Sequence, residues 1–296
     1  MAFGALRRRP STGIFPSVTI PPALGAARAG VFLVFPTKWF SALAAAALLF
    51  AATAPARADV DALAGYLLSI GGVNIATAKV HLVDSGGRYD VALDAHVTGL
   101  GGLVSSGLAK IEASGASTAS GLNPEKFYLL TRSNGEDFTI DAGFSGGNVS
   151  QFVITPPIVN NVNRVPIERS QLSGDIGDML SAFILKGKAL DSSLCNRKLR
   201  IFTGIERFDL TMSYLAEDKA TSLKTAYQGP VEECHIKYTP ISGHFTTSET
   251  TTYLAQSDRI FIWYAPMGET GYYIPYRVLL TTSAGDLSLV LTSLKN

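Results

Sequence analysis

The chain has 296 residues, 47% of them hydrophobic and 17% charged, enough apolar material for a sizeable core and too much for global disorder. Its net charge of +1 conceals an asymmetry, because the first 58 residues carry six Lys/Arg and no acid. Taking those six from the 25 basic residues leaves 19 against 24 acidic ones, a body of about −5 that lacks the basic surplus nucleic-acid binding rewards.

The N-terminus reads as an address. The run 39–54, WFSALAAAALLFAATA, is apolar and Ala-rich, follows Lys38, and ends at the small-x-small site Ala56-Arg57-Ala58 before Asp59. That is the layout of a secretory signal peptide cleaved after Ala58. At about 16 residues the run is short of the roughly 20 a membrane-spanning helix needs, so no stable span is expected after cleavage. A leader as long as residues 1–36 is unusual, which points to a true start codon downstream of Met1. Arg7-Arg8-Arg9 stands too far from the apolar run for an ordinary twin-arginine signal. Residues 1–58 are therefore expected to be leader, 59–296 a single β-rich domain, and the compartment the periplasm.

From there the pattern is alternation. Val80 and Leu82 precede the turn 84–87, and Tyr89, Val91, Leu93, Ala95 and Val97 alternate with polar neighbours, the signature of a hairpin with one buried face. Residues 109–114, 126–132, 137–142 and 149–155 repeat it. Residues 156–173 hold Pro156-Pro157, Asn160-Asn161 and Pro166, and read as a long loop. A helix is expected over 173–187, capped by Ser173 or Asp175, with Ile176, Met179, Leu180, Phe183 and Ile184 on one stripe and Gly187 at its end. Strands are then expected near 198–203, 207–216, 222–228, 231–240, 246–256, 259–265, 273–282 and 287–294, with turns at 204–206, 229–230 and 284–286. Many short strands and one covering helix make the chain mainly β, a strongly curved antiparallel sheet or partly closed barrel.

The two cysteines, Cys195 and Cys234, both lie beyond the cleavage site. In an oxidising compartment such a pair is expected to form a disulfide, the alternative being two unrelated buried thiols. Chemistry-bearing motifs are scarce. The four histidines, His81, His96, His235 and His244, stand in no metal-ligand spacing, so no metal or cofactor is expected. Residues 143–147, GFSGG, match G-x-S-x-G in letters but lead into another alternating segment, where that motif needs a helix. Gly99, Gly101 and Gly102 have no βαβ unit around them and make no dinucleotide fingerprint. The C-terminal third is rich in aromatic residues, with Phe261, Trp263, Tyr264, Tyr272, Tyr273 and Tyr276 close together. Core packing, a lined cavity and a protein contact patch all stay open for them.

Several segments occur in a telling order: 66–73 (YLLSIGGV), the glycine-rich run 99–115, 121–128 (GLNPEKFY), 178–183 (DMLSAF), 201–208 (IFTGIERF), Cys234, and 274–277 (IPYR). In that order, over nearly the whole mature chain, the sequence resembles the secreted bacterial family called domain of unknown function 3108. The resemblance implies a periplasmic β protein without an assigned activity, its sheet similar to half-barrels that carry lipoproteins or lipids. It carries no catalytic residue over. The leading expectation is a non-enzymatic envelope protein whose curved sheet holds an apolar or lipid ligand against Met179, Phe183, Phe261, Trp263 and Tyr264. The alternative is an envelope-assembly adaptor binding a protein partner through loop 156–173 and Arg277. A hydrolase built from scattered Ser, His and Asp is the third reading.

Overall fold

The structure, a computed structural model, describes residues 59–98, 107–282 and 285–296. The expected leader and cleavage site, Gly99, Gly101 and Gly102, and the start of the expected turn at 284 lie outside the described residues. Among the described residues the N-terminal half is a meander of seven strands: β1 (Val60–Ile70), β2 (Val73–Ser85), β3 (Arg88–Val97), β4 (Gly107–Ser117), β5 (Leu122–Ser133), β6 (Glu136–Ser145) and β7 (Asn148–Thr155). A crossing segment holds two short strands, β8 (Ile176–Gly177) and β9 (Leu185–Lys186). The C-terminal half adds β10 (Arg197–Phe202), β11 (Arg207–Ala220), β12 (Gly229–Ser242), β13 (Ile260–Pro266), β14 (Tyr272–Thr282) and β15 (Gly285–Lys295).

These residues form strands because their apolar positions recur every second residue. In β1, Val60, Ala62 and Ala64 are buried while Asp61 and Leu63 are exposed. Hairpin turns carry the twist of the flanking strands: at Gly86-Gly87 both residues have positive φ, 60° and 81°, as a two-residue mirror-image turn demands. The strands form one sheet in the order β7-β6-β5-β4-β3-β2-β1-β15-β14-β13-β12-β11-β10-β8, with β9 added to β14. The first and last described strands meet at its middle, where β1 pairs antiparallel with β15. All pairings are antiparallel except β8 with β10.

The two edges of the sheet approach each other. The backbone N–H of Ile176 on β8 donates to Gly147 O in the β6–β7 turn at 2.9 Å, and the Gly174 N–H donates to Asn148 Oδ1 at 3.1 Å. The rings of Phe152 on β7 and Phe202 on β10 meet edge-on at 5.0 Å. The result is a nearly closed, barrel-shaped sheet, as a curved sheet that protects its edges requires.

Three expected elements are corrected. Residues 173–187 form no α-helix. Asp175 has φ 58°, β8 and β9 pair with sheet strands, and only Ser181–Phe183 makes a 3₁₀ turn. The Asp178 carboxylate accepts from the backbone N–H of Leu180 (2.7 Å) and Ser181 (2.8 Å), satisfying locally the donors a helix would have used. The apolar stripe reported burial correctly: Ile176, Leu180 and Ile184 are all buried against the strands. Residues 246–256, rich in Thr and expected as a strand, instead hold the α-helix of the described chain, α1 (Glu249–Gln256). Ser248 caps it, its hydroxyl accepting from Thr251 N–H, and Glu249 sits favourably in the first turn. Residues 222–228 are likewise a loop, with β12 starting at Gly229.

Loop 156–173 is irregular as expected, ending in a 3₁₀ turn at Arg169–Leu172. It is tied down by Arg164, whose guanidinium donates to Gly243 O at 2.7 Å and Ile205 O at 2.6 Å. The disulfide joins Cys195 to Cys234 on β12. Both sulfurs sit in a second apolar cluster with Leu194, Ile201, Ile262 and Tyr264.

Candidate ligand cavity

The interior is not filled by its own side chains. On β1 the inward positions include Ala62 and Ala64. Register sets Ala64 opposite Val80 and Tyr66 opposite Ala78 on β2. Three alanines on adjacent strands leave room that the crossing segment only roofs over. A cavity of about 330 Å³ results. Its wall is Ala62, Ala64, Tyr66 and Leu68 of β1, Ala78, Val80 and Leu82 of β2, and Leu93 of β3; Ile274, Pro275 and Val278 of β14 and Leu287 and Leu289 of β15 continue it. Met179, Leu180, Phe183 and Ile184 roof it, and Met267 completes it. No lining residue carries a charge. Burial pushes the Tyr66 hydroxyl far above its ordinary range, so it stays neutral.

The cavity has an open and a closed end. Leu68, Ala78, Leu93, Leu287 and Leu289 are half-buried, whereas Ala62, Leu82, Met267 and Ile274 are buried. Just past the closed end, two residues along the same faces of β2 and β14 from Leu82 and Ile274, stand Asp84 and Tyr272. With Ser117 and Lys186 they form a buried polar floor. Asp84 Oδ2 accepts from Ser117 Oγ at 2.6 Å, Tyr272 OH at 2.5 Å and Lys186 Nζ at 3.1 Å. Lys186 Nζ also donates to Ser117 Oγ at 2.6 Å and lies 4.5 Å from the Tyr272 ring centre. Ser117 is 2% exposed and gives its proton to Asp84, so it braces the floor and is not presented to a substrate as a nucleophile.

Burial opposes ionisation of Asp84, but hydrogen bonds from Ser117, Tyr272 and Lys186 outweigh it and hold the carboxyl below its ordinary range. Asp209 is depressed in the same way by Lys198 and Arg207 against its own burial. A carboxyl held low in the folded state stabilises the fold above its unfolded pKa, about 4, and that stabilisation is lost as pH falls through the folded value. These two carboxyls are therefore expected to make denaturant midpoints drop below about pH 4. In Asp84→Asn the drop should be shallower; an unchanged acid limb would show that the floor does not carry it. Asp178 works in the opposite sense. Its burial raises its carboxyl, so its contribution is full below the unfolded pKa and declines as pH rises through the folded value.

Of the expected ligand contacts, Met179 and Phe183 line the cavity. The structure places the other three elsewhere. Phe261 and Trp263 share a face of β13 that the cavity does not touch; the Trp263 indole N–H donates to Asp218 at 3.1 Å and its ring meets the Arg277 guanidinium at 5.3 Å. Tyr264 is fully buried in the disulfide cluster. Both faces of β13 are covered, so alternation cannot say which one meets a void. Arg277 is exposed beside Trp263. Ser145 of the GFSGG run ends β6 in a hairpin. His81 pairs on the surface with Asp61 at 2.7 Å, and among the described residues no group of three His, Cys, Asp or Glu is placed to hold a metal. No helix among them is long and apolar enough to cross a membrane.

A family model described as protein of unknown function, DUF3108, matches residues 65–292. The chain belongs to the DUF3108 family. No curated protein matches this DUF3108 chain. Among solved structures it is similar to a β-barrel-like protein of domain of unknown function DUF1849 from Brucella abortus, at 10% identity and a TM-score of 0.44, over 80% of this chain and 97% of that one. The match of the DUF3108 model spans all but the first strand residues of the cavity wall, with Ala62 and Ala64 just outside it.

Proposed function

We propose that this protein is a non-enzymatic component of the cell envelope, working in the periplasm, that holds an apolar or lipid ligand inside its barrel. The observation that carries the reading is the uncharged, half-open cavity roofed by Met179 and Phe183. Natural cores rarely keep such voids, because unfilled space forfeits packing. Apolar area buried there supplies affinity at roughly 25 cal/mol per Å² without any polar motif. The compartment rests on the signal-like run before Ala58 and on the disulfide, which persists in oxidising surroundings.

Native mass spectrometry after gentle purification, together with titration of a fluorescent fatty acid, tests this. Ala64→Phe places a ring in the void and is expected to weaken fatty-acid binding more than tenfold while the protein stays folded by circular dichroism. Wild-type protein that neither carries nor takes up an apolar molecule would discard the reading.

A further inference from the structure

We infer that the ligand is a single-tailed amphiphile that enters tail first, leaving its polar head outside the mouth. The inference rests on the proposed function and narrows it. A methylene fills about the volume of a water molecule in the liquid, about 30 Å³, so a cavity of about 330 Å³ takes one chain of about eleven methylenes. That is too little for the two tails of a diacyl lipid.

The direction of entry follows from where the polar groups are. The closed end is shut by Leu82, Met267 and Ile274, each at most 3% exposed. Lys186, the cation beyond them, is already spent: it is ion-paired with Asp84 at 3.1 Å and hydrogen-bonded to Ser117. A carboxylate driven to that end would lose its hydration and meet a Lys186 whose charge is already matched by Asp84, which is costly. At the mouth, Leu68, Leu287 and Leu289 grip the last methylenes, and water solvates whatever head follows. Selectivity should therefore read tail length and ignore head charge.

The test is displacement of N-phenyl-1-naphthylamine from the purified protein by saturated chains of 6 to 16 carbons bearing a carboxylate, a hydroxyl or a phosphocholine head. Affinity is expected to rise about fourfold per methylene, level off near eleven, and differ by less than about threefold between heads of equal tail. Ala78→Leu adds three carbons near the mouth and should bring the plateau about three methylenes shorter at an unchanged slope. A tenfold preference for carboxylate over hydroxyl would overturn the head-out orientation. A gain that continues to 16 carbons, or displacement by diacyl phosphatidylcholine vesicles, would overturn the single short tail. Failure of the naphthylamine probe itself to bind would sink the proposed function along with this inference, whereas probe binding without a plateau sinks this inference alone.

Discussion

Replacing Cys195 and Cys234 together by alanine is expected to cost about 4 kcal/mol of stability. The two residues are 39 apart in sequence, and cross-linking them removes the freedom of that loop from the unfolded chain. The native state also depends on where the link falls. Cys195 directly follows the 3₁₀ turn Ser192–Leu194 at the end of the crossing segment, while Cys234 lies on β12 opposite Ile262 of β13. The bond thus staples the segment that roofs the cavity to the C-terminal sheet, and both cysteines are fully buried with Leu194, Ile201 and Ile262. Guanidinium titrations of wild-type, reduced and doubly substituted protein give the measurement. Coincident midpoints for oxidised and reduced protein would mean the link constrains nothing that the packing does not already hold.

Breaking the polar floor is expected to cost nearly as much. Removing one partner of a buried ion pair strands the other in low dielectric, typically at about 3–5 kcal/mol. Lys186 and Asp84 have side chains 14% and 7% exposed, so solvent screens them little. In Lys186→Met the carboxylate keeps the Ser117 and Tyr272 donors but loses the paired ammonium. The crossing segment also loses its polar anchor one residue before Gly187. For a domain of this size such a loss lowers the thermal midpoint by about 10 °C. Combining Lys186→Met with Asp84→Asn should cost clearly less than the two single changes added together, because the double variant leaves no uncompensated charge. Strict additivity would count against the pair as a unit. Tyr272→Phe keeps the ring but removes a hydroxyl that donates to Asp84 at 2.5 Å and lies 3.2 Å from Ser117 Oγ, and sets the scale at about 2 kcal/mol.

The strands of the meander were legible in residue order because a half-buried sheet imposes its period of two on the side chains. The pairs 88–97 and 109–114 alternate cleanly, and β3 and β4 fall there. The cysteine pairing was legible because two cysteines admit one partner each. The crossing segment was not. Its stripe at 176, 179, 180, 183 and 184 reports which side chains are buried, but burial is blind to where the backbone bonds go. There Asp178 and two sheet strands out-competed the helix. At 246–256 the opposite happened, as the Ser248 cap overrode the β preference of a Thr-rich run.

The candidate site lay further out of reach. A cavity is made by what is missing, and Ala62, Ala64 and Ala78 become one void only once register sets β1 beside β2. Asp84 read as part of a turn and Lys186 fell inside an expected helix, since 102 positions separate two groups whose meeting no local pattern encodes. The order of residues alone determined a β-rich body and its alternation, because these depend on local periodicity and composition; its family followed from the resemblance carried by an ordered set of short segments, and its disulfide from there being two cysteines. Which side chains share the interior, where it stays empty and how its floor is charged were decided by the tertiary structure, because only closure of the sheet brings distant strands within contact range.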